Sequence, residues 1–182
     1  MNGEKKTFYL IGKRSFRNLM NVCPLKYLAL ALLFLCIPAI HATPSCTIGA
    51  KISQFSLEDQ HNVTHTVDED VRLILFTKDK KSNKLVEEAL VGVEKDYLPG
   101  RHAVCVSDIS GMPKLISKIF AMPKMKKYPY EILLDRDRSV TRDFPSKENS
   151  VTLLYIKNLQ ITDIQFANSP ETIKKAIEST SS

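Results

Sequence analysis

The stretch VRLILFTKDKKSNKLVEEALVGV, residues 71–93, decides the fold. Val71 to Phe76 is an apolar run with a single charge, typical of a strand that is buried on both faces. In the polar segment that follows, Ser82 or Asn83 can cap a helix, because its side-chain oxygen accepts a free backbone N–H. Apolar residues then recur at helical spacing, at Leu85, Val86, Ala89, Leu90 and Val93. A buried strand followed by an amphipathic helix predicts a β–α unit of a layered α/β domain.

The same alternation continues on both sides of this unit. Upstream, residues 52–55 and 63–67 predict an N-terminal β-hairpin. Downstream we expect a strand at 103–106, an amphipathic helix around 115–120 and a basic loop at 124–128 between two prolines. A strand at 132–134 and an extended segment at 140–144 should follow. The chain should end with a hairpin of 151–156 and 160–166 and with a final helix that Ser169-Pro170-Glu171 begins. Strands that alternate with helices predict a central mixed sheet flanked by helices, whose first crossover joins parallel strands.

Residues 1–42 have the pattern of an export signal. Six basic residues and one acid precede an apolar run from Leu28 to Ile37, Pro38 follows, and Ala42 offers a small residue for cleavage. The run is shorter than the roughly 20 residues that span a bilayer, although an uncleaved anchor stays an alternative. Met20 is a possible true start. The pattern predicts a linker at 43–50, a domain at 51–180, and release into the periplasm or medium.

The charge of the chain is concentrated in that leader. The full sequence carries 26 basic and 20 acidic residues, for a net charge of +6. Removing the leader leaves 20 basic and 19 acidic residues, so the remaining domain is nearly neutral. Net charge therefore gives no reason to expect nucleic-acid binding.

Two cysteines remain after the leader. Cys46 and Cys105 could pair in an oxidising compartment. Alternatively, Cys105, which sits in an apolar strand, is a buried core thiol. A third reading makes Cys105 a redox-active thiol, and it is the one candidate catalytic residue of the sequence.

The order of elements resembles that of the thioredoxin (redoxin) superfamily, and most closely the periplasmic YtfJ-type proteins that lack an active-site Cys-x-x-Cys. Four stretches carry the likeness: 71–83, 105–108, 132–143 and 147–155. In thioredoxins the Cys-x-x-Cys opens the helix after the first central strand, where the helix N-terminus lowers the pKa of the nucleophile. The same position here reads Lys78-Asp79-Lys80-Lys81-Ser82, and Val151 stands where thioredoxins place a cis-proline.

The resemblance therefore implies a thioredoxin-like protein without the family's thiol or peroxidase residues. It implies no cofactor and favours a non-enzymatic binding or accessory role in the periplasm. Two alternatives stay open: a divergent thiol-redox protein that uses Cys105 with Cys46, and a membrane-anchored structural protein of the envelope.

Two lysine clusters are the candidate binding residues: Lys78, Lys80, Lys81 and Lys84 in one, and Lys124, Lys126 and Lys127 in the other. The first begins where the family's active site would lie, and a helix N-terminus beside lysines can attract an anion or an acidic partner protein. Ordinary solvated surface is the alternative. His61 and His65 are four residues apart, but in a hairpin that spacing is too long for two bonds to one ion, so we predict no metal site.

Overall fold

The computed structural model describes residues 46–180. The predicted leader, residues 1–42, lies outside the described residues. Seven strands form one sheet in the order β2-β1-β5-β4-β3-β6-β7. They are β1 (Phe55–Glu58), β2 (Thr64–Val67), β3 (Leu73–Thr77), β4 (Ala103–Asp108), β5 (Ile132–Asp135), β6 (Val151–Lys157) and β7 (Gln160–Ala167).

The sheet is mixed, as the sequence predicts. Strands β3, β4 and β5 are parallel neighbours, whereas β6 runs antiparallel to both β3 and β7. The N-terminal hairpin β1–β2 joins the sheet by pairing β1 with β5. Asn158 and Leu159 turn the β6–β7 hairpin with positive φ angles of 50° and 60°, which suits the right-handed twist of the paired strands. This architecture confirms the predicted thioredoxin-like α/β class with its hairpin extension.

Helices follow the strands at the expected places. They are α1 (Lys80–Ala89), α2 (Lys114–Ile116), a π-helical turn (Ser117–Ala121), α3 (Met122–Met125) and α4 (Pro170–Ser179), with short 3-10 turns at Pro99–Arg101 and Thr141–Asp143. Helix α4 begins at the predicted cap, because the Ser169 side chain accepts the Thr172 N–H.

The predicted cap of α1 was wrong. Asp79 is the cap, and its carboxylate accepts the N–H groups of Lys81 and Ser82 at 2.9 and 2.8 Å. Ser82 acts from inside the helix, where its hydroxyl accepts the Asp79 N–H. Asp79 and Ser82 thus form a reciprocal capping box, in which the side chain of each residue accepts the backbone N–H of the other.

Residues 114–125 form one continuous helix, here called the lysine-rich helix, and the basic loop predicted at 124–128 was placed too early. Pro123 lies inside the helix although it has no N–H to donate. Just before it the helix widens into the π turn, where the Met122 N–H reaches back five residues to the Ser117 carbonyl. This wider turn makes room for the proline ring, which would clash with the preceding turn of a regular helix.

The prediction of an extended segment at 140–144 is also wrong, because its centre, Thr141–Asp143, is a 3-10 turn. Asp135, at the end of β5, accepts the N–H groups of Val140 and Thr141 at 3.0 and 2.7 Å and the Thr141 hydroxyl at 2.9 Å. Burial would raise the pKa of Asp135, but these hydrogen bonds lower it overall. A buried carboxylate therefore pulls this segment into a tight 3-10 turn, which overrides its β propensity.

The sheet separates two apolar clusters. Alternate residues of β3 to β6, such as Leu75 and Cys105, pack against the buried sides of α1 and α4, and we call this the helix-covered face. Their neighbours, such as Ile74 and Val106, form the other cluster with Phe144 and residues before β2, and we call it the N-terminal face. Residues 46–180 belong to one compact unit. Because both clusters are complete within 46–180, we expect this part of the chain to fold on its own.

The described part of the segment predicted as a linker, residues 46–50, packs on the domain. The Gly49 N–H donates to the Ile161 carbonyl at 2.8 Å, and the Ile161 N–H donates to the Ala50 carbonyl at 2.9 Å. Lys51 continues this contact as an isolated bridge to Gln160. These residues therefore extend the edge of the sheet beside β7.

Candidate functional site

A groove opens at the carboxyl ends of the parallel strands β3 and β4, where ligands bind in many α/β sheets. Its volume is about 950 Å³. One wall is α1 with the loop before it, the other is the lysine-rich helix, and the loop after β4 forms the end between them. The apolar lining consists of Val91, Ile109, Met112, Ile116, Phe120, Ala121, Met125 and Tyr128. The charged lining consists of Lys78, Asp79, Lys80, Lys84, Glu87, Glu88, Asp108, Lys124 and Arg138.

A buried polar network occupies the start of α1, where thioredoxins carry their cysteines. The side-chain oxygen of Asn83 accepts the Thr77 hydroxyl at 3.0 Å and the Ser107 hydroxyl at 3.1 Å. The Asn83 amide donates in turn to the Asp79 carbonyl at 2.9 Å. Thr77, Ser82 and Ser107 are all fully buried. Because every one of these groups has a hydrogen-bond partner, the network stabilises the junction between β3, β4 and α1 and has no evident reactive group.

The loop before β6 faces this junction. The Asn149 N–H donates to the second carboxylate oxygen of Asp79 at 3.1 Å. Val151, which stands where thioredoxins have their cis-proline, opens β6 just beyond, and the described residues contain no cis peptide bond. The loop before β6 therefore contacts the start of α1, with a carboxylate and a trans backbone where the resemblance expects thiols and cis-proline.

Neither Cys46 nor Cys105 lines the groove. Cys105 lies in β4 on the helix-covered face with 1% of its surface exposed, and burial raises the pKa of its thiol to about 12. Cys46 is half-buried and packs on the N-terminal face, and burial together with Asp143 raises the pKa of its thiol. Both are free thiols on opposite sides of the sheet, so the structure does not bring the candidate disulfide pair together. A thiol with a raised pKa is a weak nucleophile, because the thiolate is the reacting form.

The structure divides the seven candidate lysines. Lys78, Lys80, Lys84 and Lys124 line the groove, Lys126 lines a neighbouring cavity, and Lys81 and Lys127 line neither. Of the four in the groove, two form ion pairs. Lys124 binds Glu87 across the groove at 2.6 Å, and Lys84 lies 3.4 Å from Glu88 within α1.

The carboxylates of the groove all have partners. Besides Glu87 and Glu88, Asp79 caps α1, and Asp108 accepts the Ser110 hydroxyl at 2.6 Å and faces Arg138 at 3.7 Å. Lys78 and Lys80 are exposed, and neither forms an ion pair with another described residue. The available charge of the groove is therefore positive, and most of its lining surface is apolar.

The structure brings Asp59, His65 and Glu131 together in a second polar cluster that the sequence did not predict. The two ring nitrogens of His65 lie 3.0 Å from an oxygen of Asp59 and 3.5 Å from an oxygen of Glu131. Burial would raise the pKa of Asp59, but hydrogen bonds from the Val63 backbone and from His65 lower it overall. These three residues could offer a cation one ligand atom each, although both ring nitrogens of His65 already contact the carboxylates of the other two residues. No short spacing signals the cluster, since Glu131 joins it only through the pairing of β1 with β5.

Comparison by sequence finds no matching family model and no matching curated protein. Comparison by structure finds thioredoxin-like folds. One is named a thiol:disulfide interchange protein DsbE, from Chlorobium tepidum; it is 11% identical, with a TM-score of 0.54 over 76% of this chain and 100% of that one. Another is named a protein disulfide isomerase, from Bacteroides thetaiotaomicron; it is 12% identical, with a TM-score of 0.50 over 73% of this chain and 87% of that one. At these identities the likeness establishes the shared fold.

Proposed function

We propose that this chain is an exported thioredoxin-like binding protein that works without thiol chemistry and takes an anionic ligand with an apolar body into its groove. The observation that carries the proposal is the composition of the groove. Apolar side chains line about 950 Å³ of space, and Lys78 and Lys80 line it without partner carboxylates. Pockets of this size that combine an apolar lining with a few polar groups are typical of ligand sites.

The absence of a usable thiol supports a binding role over redox chemistry. No cysteine lines the groove among the described residues, and the pKa of Cys105 lies near 12. The capping box and the Asn83 network occupy the positions of the family's reactive groups. The same features favour the finer resemblance to the YtfJ-type proteins and, with the leader pattern, a place in the periplasm.

The ligand class can be tested with two fluorescent probes on residues 43–182. Anilinonaphthalene sulfonate is an anion with an apolar body, and N-phenylnaphthylamine is its neutral counterpart. We expect saturable binding of the anion, and we expect Lys78→Gln with Lys80→Gln to weaken it about fivefold, because two partly solvated charge contacts are lost. The affinity of the neutral probe should stay unchanged.

The matched control is Lys174→Gln with Lys175→Gln, two exposed lysines of α4 outside the groove, which should leave both affinities unchanged. Equal effects of the two double variants, or no saturable binding, would refute the groove as an anion site. An insulin-reduction assay addresses the redox alternative separately. Turnover that disappears in Cys105→Ser would replace the binding role with thiol chemistry.

A further inference from the structure

The lysine-rich helix has more exposed large apolar side chains than any other described element. Leu115 is 67% exposed, Ile116 45%, Ile119 52% and Phe120 66%, and these four are half of the eight large apolar side chains exposed within residues 46–180. Only Met125 of this helix is buried. Single exposed apolar residues are common, but four of them within six positions mark an interaction surface.

The helix presents this surface in two directions. Ile116 and Phe120 line the groove. Leu115 and Ile119 line neither the groove nor the neighbouring cavity, which contains Ser117, Lys118 and Met122 from the other side of the helix. Leu115 and Ile119 therefore form an outer apolar edge, and its role is separate from that of the groove.

The charged residues of the segment that carries this edge have one sign. Five lysines, at 114, 118, 124, 126 and 127, occur in a stretch with no acidic residue between Asp108 and Glu131. Of these five, Lys124 is the one that forms an ion pair with another described residue. A helix that combines exposed leucine, isoleucine and phenylalanine with lysines is typical of segments that lie in the interface of a membrane.

We propose that the lysine-rich helix docks this domain on an anionic lipid surface, with Leu115 and Ile119 entering the acyl boundary and the lysines contacting headgroups. An anionic bilayer satisfies both halves of the surface at once, because it offers an apolar layer beneath negative charge. A second copy of the chain fits poorly, since face-to-face packing would oppose two sets of lysines. Within residues 46–180, no helix has the length and hydropathy to cross a bilayer, so the helix would lie on the membrane surface.

Vesicle co-sedimentation of residues 43–182 tests this docking. We expect binding to vesicles of phosphatidylglycerol and phosphatidylethanolamine, weaker binding at high salt, and at least tenfold weaker binding to phosphatidylcholine vesicles. Leu115→Ser with Ile119→Ser, and separately Lys118→Glu with Lys126→Glu, should each reduce binding to anionic vesicles by about tenfold or more.

Two controls keep the test specific. Ile48→Ser with Val63→Ser removes exposed apolar side chains elsewhere, and Lys174→Glu with Lys175→Glu reverses exposed charges elsewhere. Both should bind vesicles like the parent, and circular dichroism should give the same fold for all variants. The docking does not depend on the groove ligand, so Leu115→Ser with Ile119→Ser should keep its affinity for anilinonaphthalene sulfonate.

The proposal fails if the parent ignores anionic vesicles, or if binding to neutral vesicles is equally strong. It also fails if the Leu115 and Ile119 variant changes only the oligomeric state measured by light scattering, because the edge would then join copies of the chain. Binding to vesicles that the control variants lose equally would likewise refute a specific role for this helix.

Discussion

The two walls of the groove are helices of opposite character. Helix α1 buries Ser82, Leu85, Val86 and Ala89 against the sheet and is held at its first turn by a capping box. The lysine-rich helix has no side-chain cap at its start, and it exposes most of its apolar residues. Burial and satisfied hydrogen bonds thus concentrate in one wall, and exposed apolar side chains concentrate in the other.

This difference separates the wall that stabilises the fold from the wall that we propose as a binding surface. Thioredoxins carry their reactive cysteines at the start of this helix. Here the side chains at the start of α1 stabilise the junction between strands and helix instead. Across the groove, the lysine-rich helix contributes little to the core and carries the proposed docking surface. Local stability commonly varies in this way, and binding elements belong to the less stable parts.

The largest expected effect separates the two walls by one matched substitution. Leu85→Ala should lower the free energy of unfolding by about 2–4 kcal/mol, because it leaves a cavity in the helix-covered face. Leu115→Ala should change it by less than about 0.5 kcal/mol, because that side chain is mostly in solvent. Urea denaturation followed by circular dichroism measures both. Similar losses in the two variants would mean that the lysine-rich helix is as much a part of the core as α1.

A smaller effect should come from the cap that distinguishes α1. Asp79→Ala removes the acceptor of two helix N–H groups and of the Asn149 N–H, so we expect a loss of about 1–2 kcal/mol of stability. The control is Asp96→Ala, an exposed aspartate whose side chain forms no hydrogen bond with the other described residues. If both variants unfold at the same urea concentration, the capping box does not stabilise this wall.

The smallest effect concerns the ion pair that joins the walls. Burial would raise the pKa of Glu87, but hydrogen bonds from Lys124 and Tyr128 lower it overall. A lowered pKa means that the pair stabilises the fold above the pKa of the unfolded state, and that this contribution is lost as the pH falls through the folded-state pKa. Glu87→Gln should therefore cost less than about 1 kcal/mol at neutral pH, since solvent screens the pair, and nothing in acid.

Unfolding titrations of the parent and of Glu87→Gln at several pH values measure this difference. Glu88→Gln, which breaks an ion pair inside α1 alone, is the control and should cost still less. A difference between the parent and Glu87→Gln that persists at pH 3 would show that the carboxylate acts through something other than its charge.

Local patterns predicted much of the fold. The continuous apolar run of β3, the helical spacing of α1, the cap of α4 and the turn at Asn158 each depend on neighbours in sequence, so the sequence alone identifies them. The sequence alone also shows that no cysteine occurs in Lys78-Asp79-Lys80-Lys81-Ser82. The errors at residues 124–128 and 140–144 arose because a π turn before Pro123 and the buried carboxylate of Asp135 override local propensity.

Only the tertiary structure decided how these pieces combine. It separates Cys46 from Cys105 by a sheet and pairs Lys124 with Glu87 from another helix. It also gathers Asp59, which follows β1, His65 of β2 and Glu131, which precedes β5. It also leaves Leu115 and Ile119 uncovered, although their spacing is that of an ordinary buried helix. Helical periodicity specifies that an apolar face exists, whereas the packing of the whole chain determines whether that face meets a core or a partner.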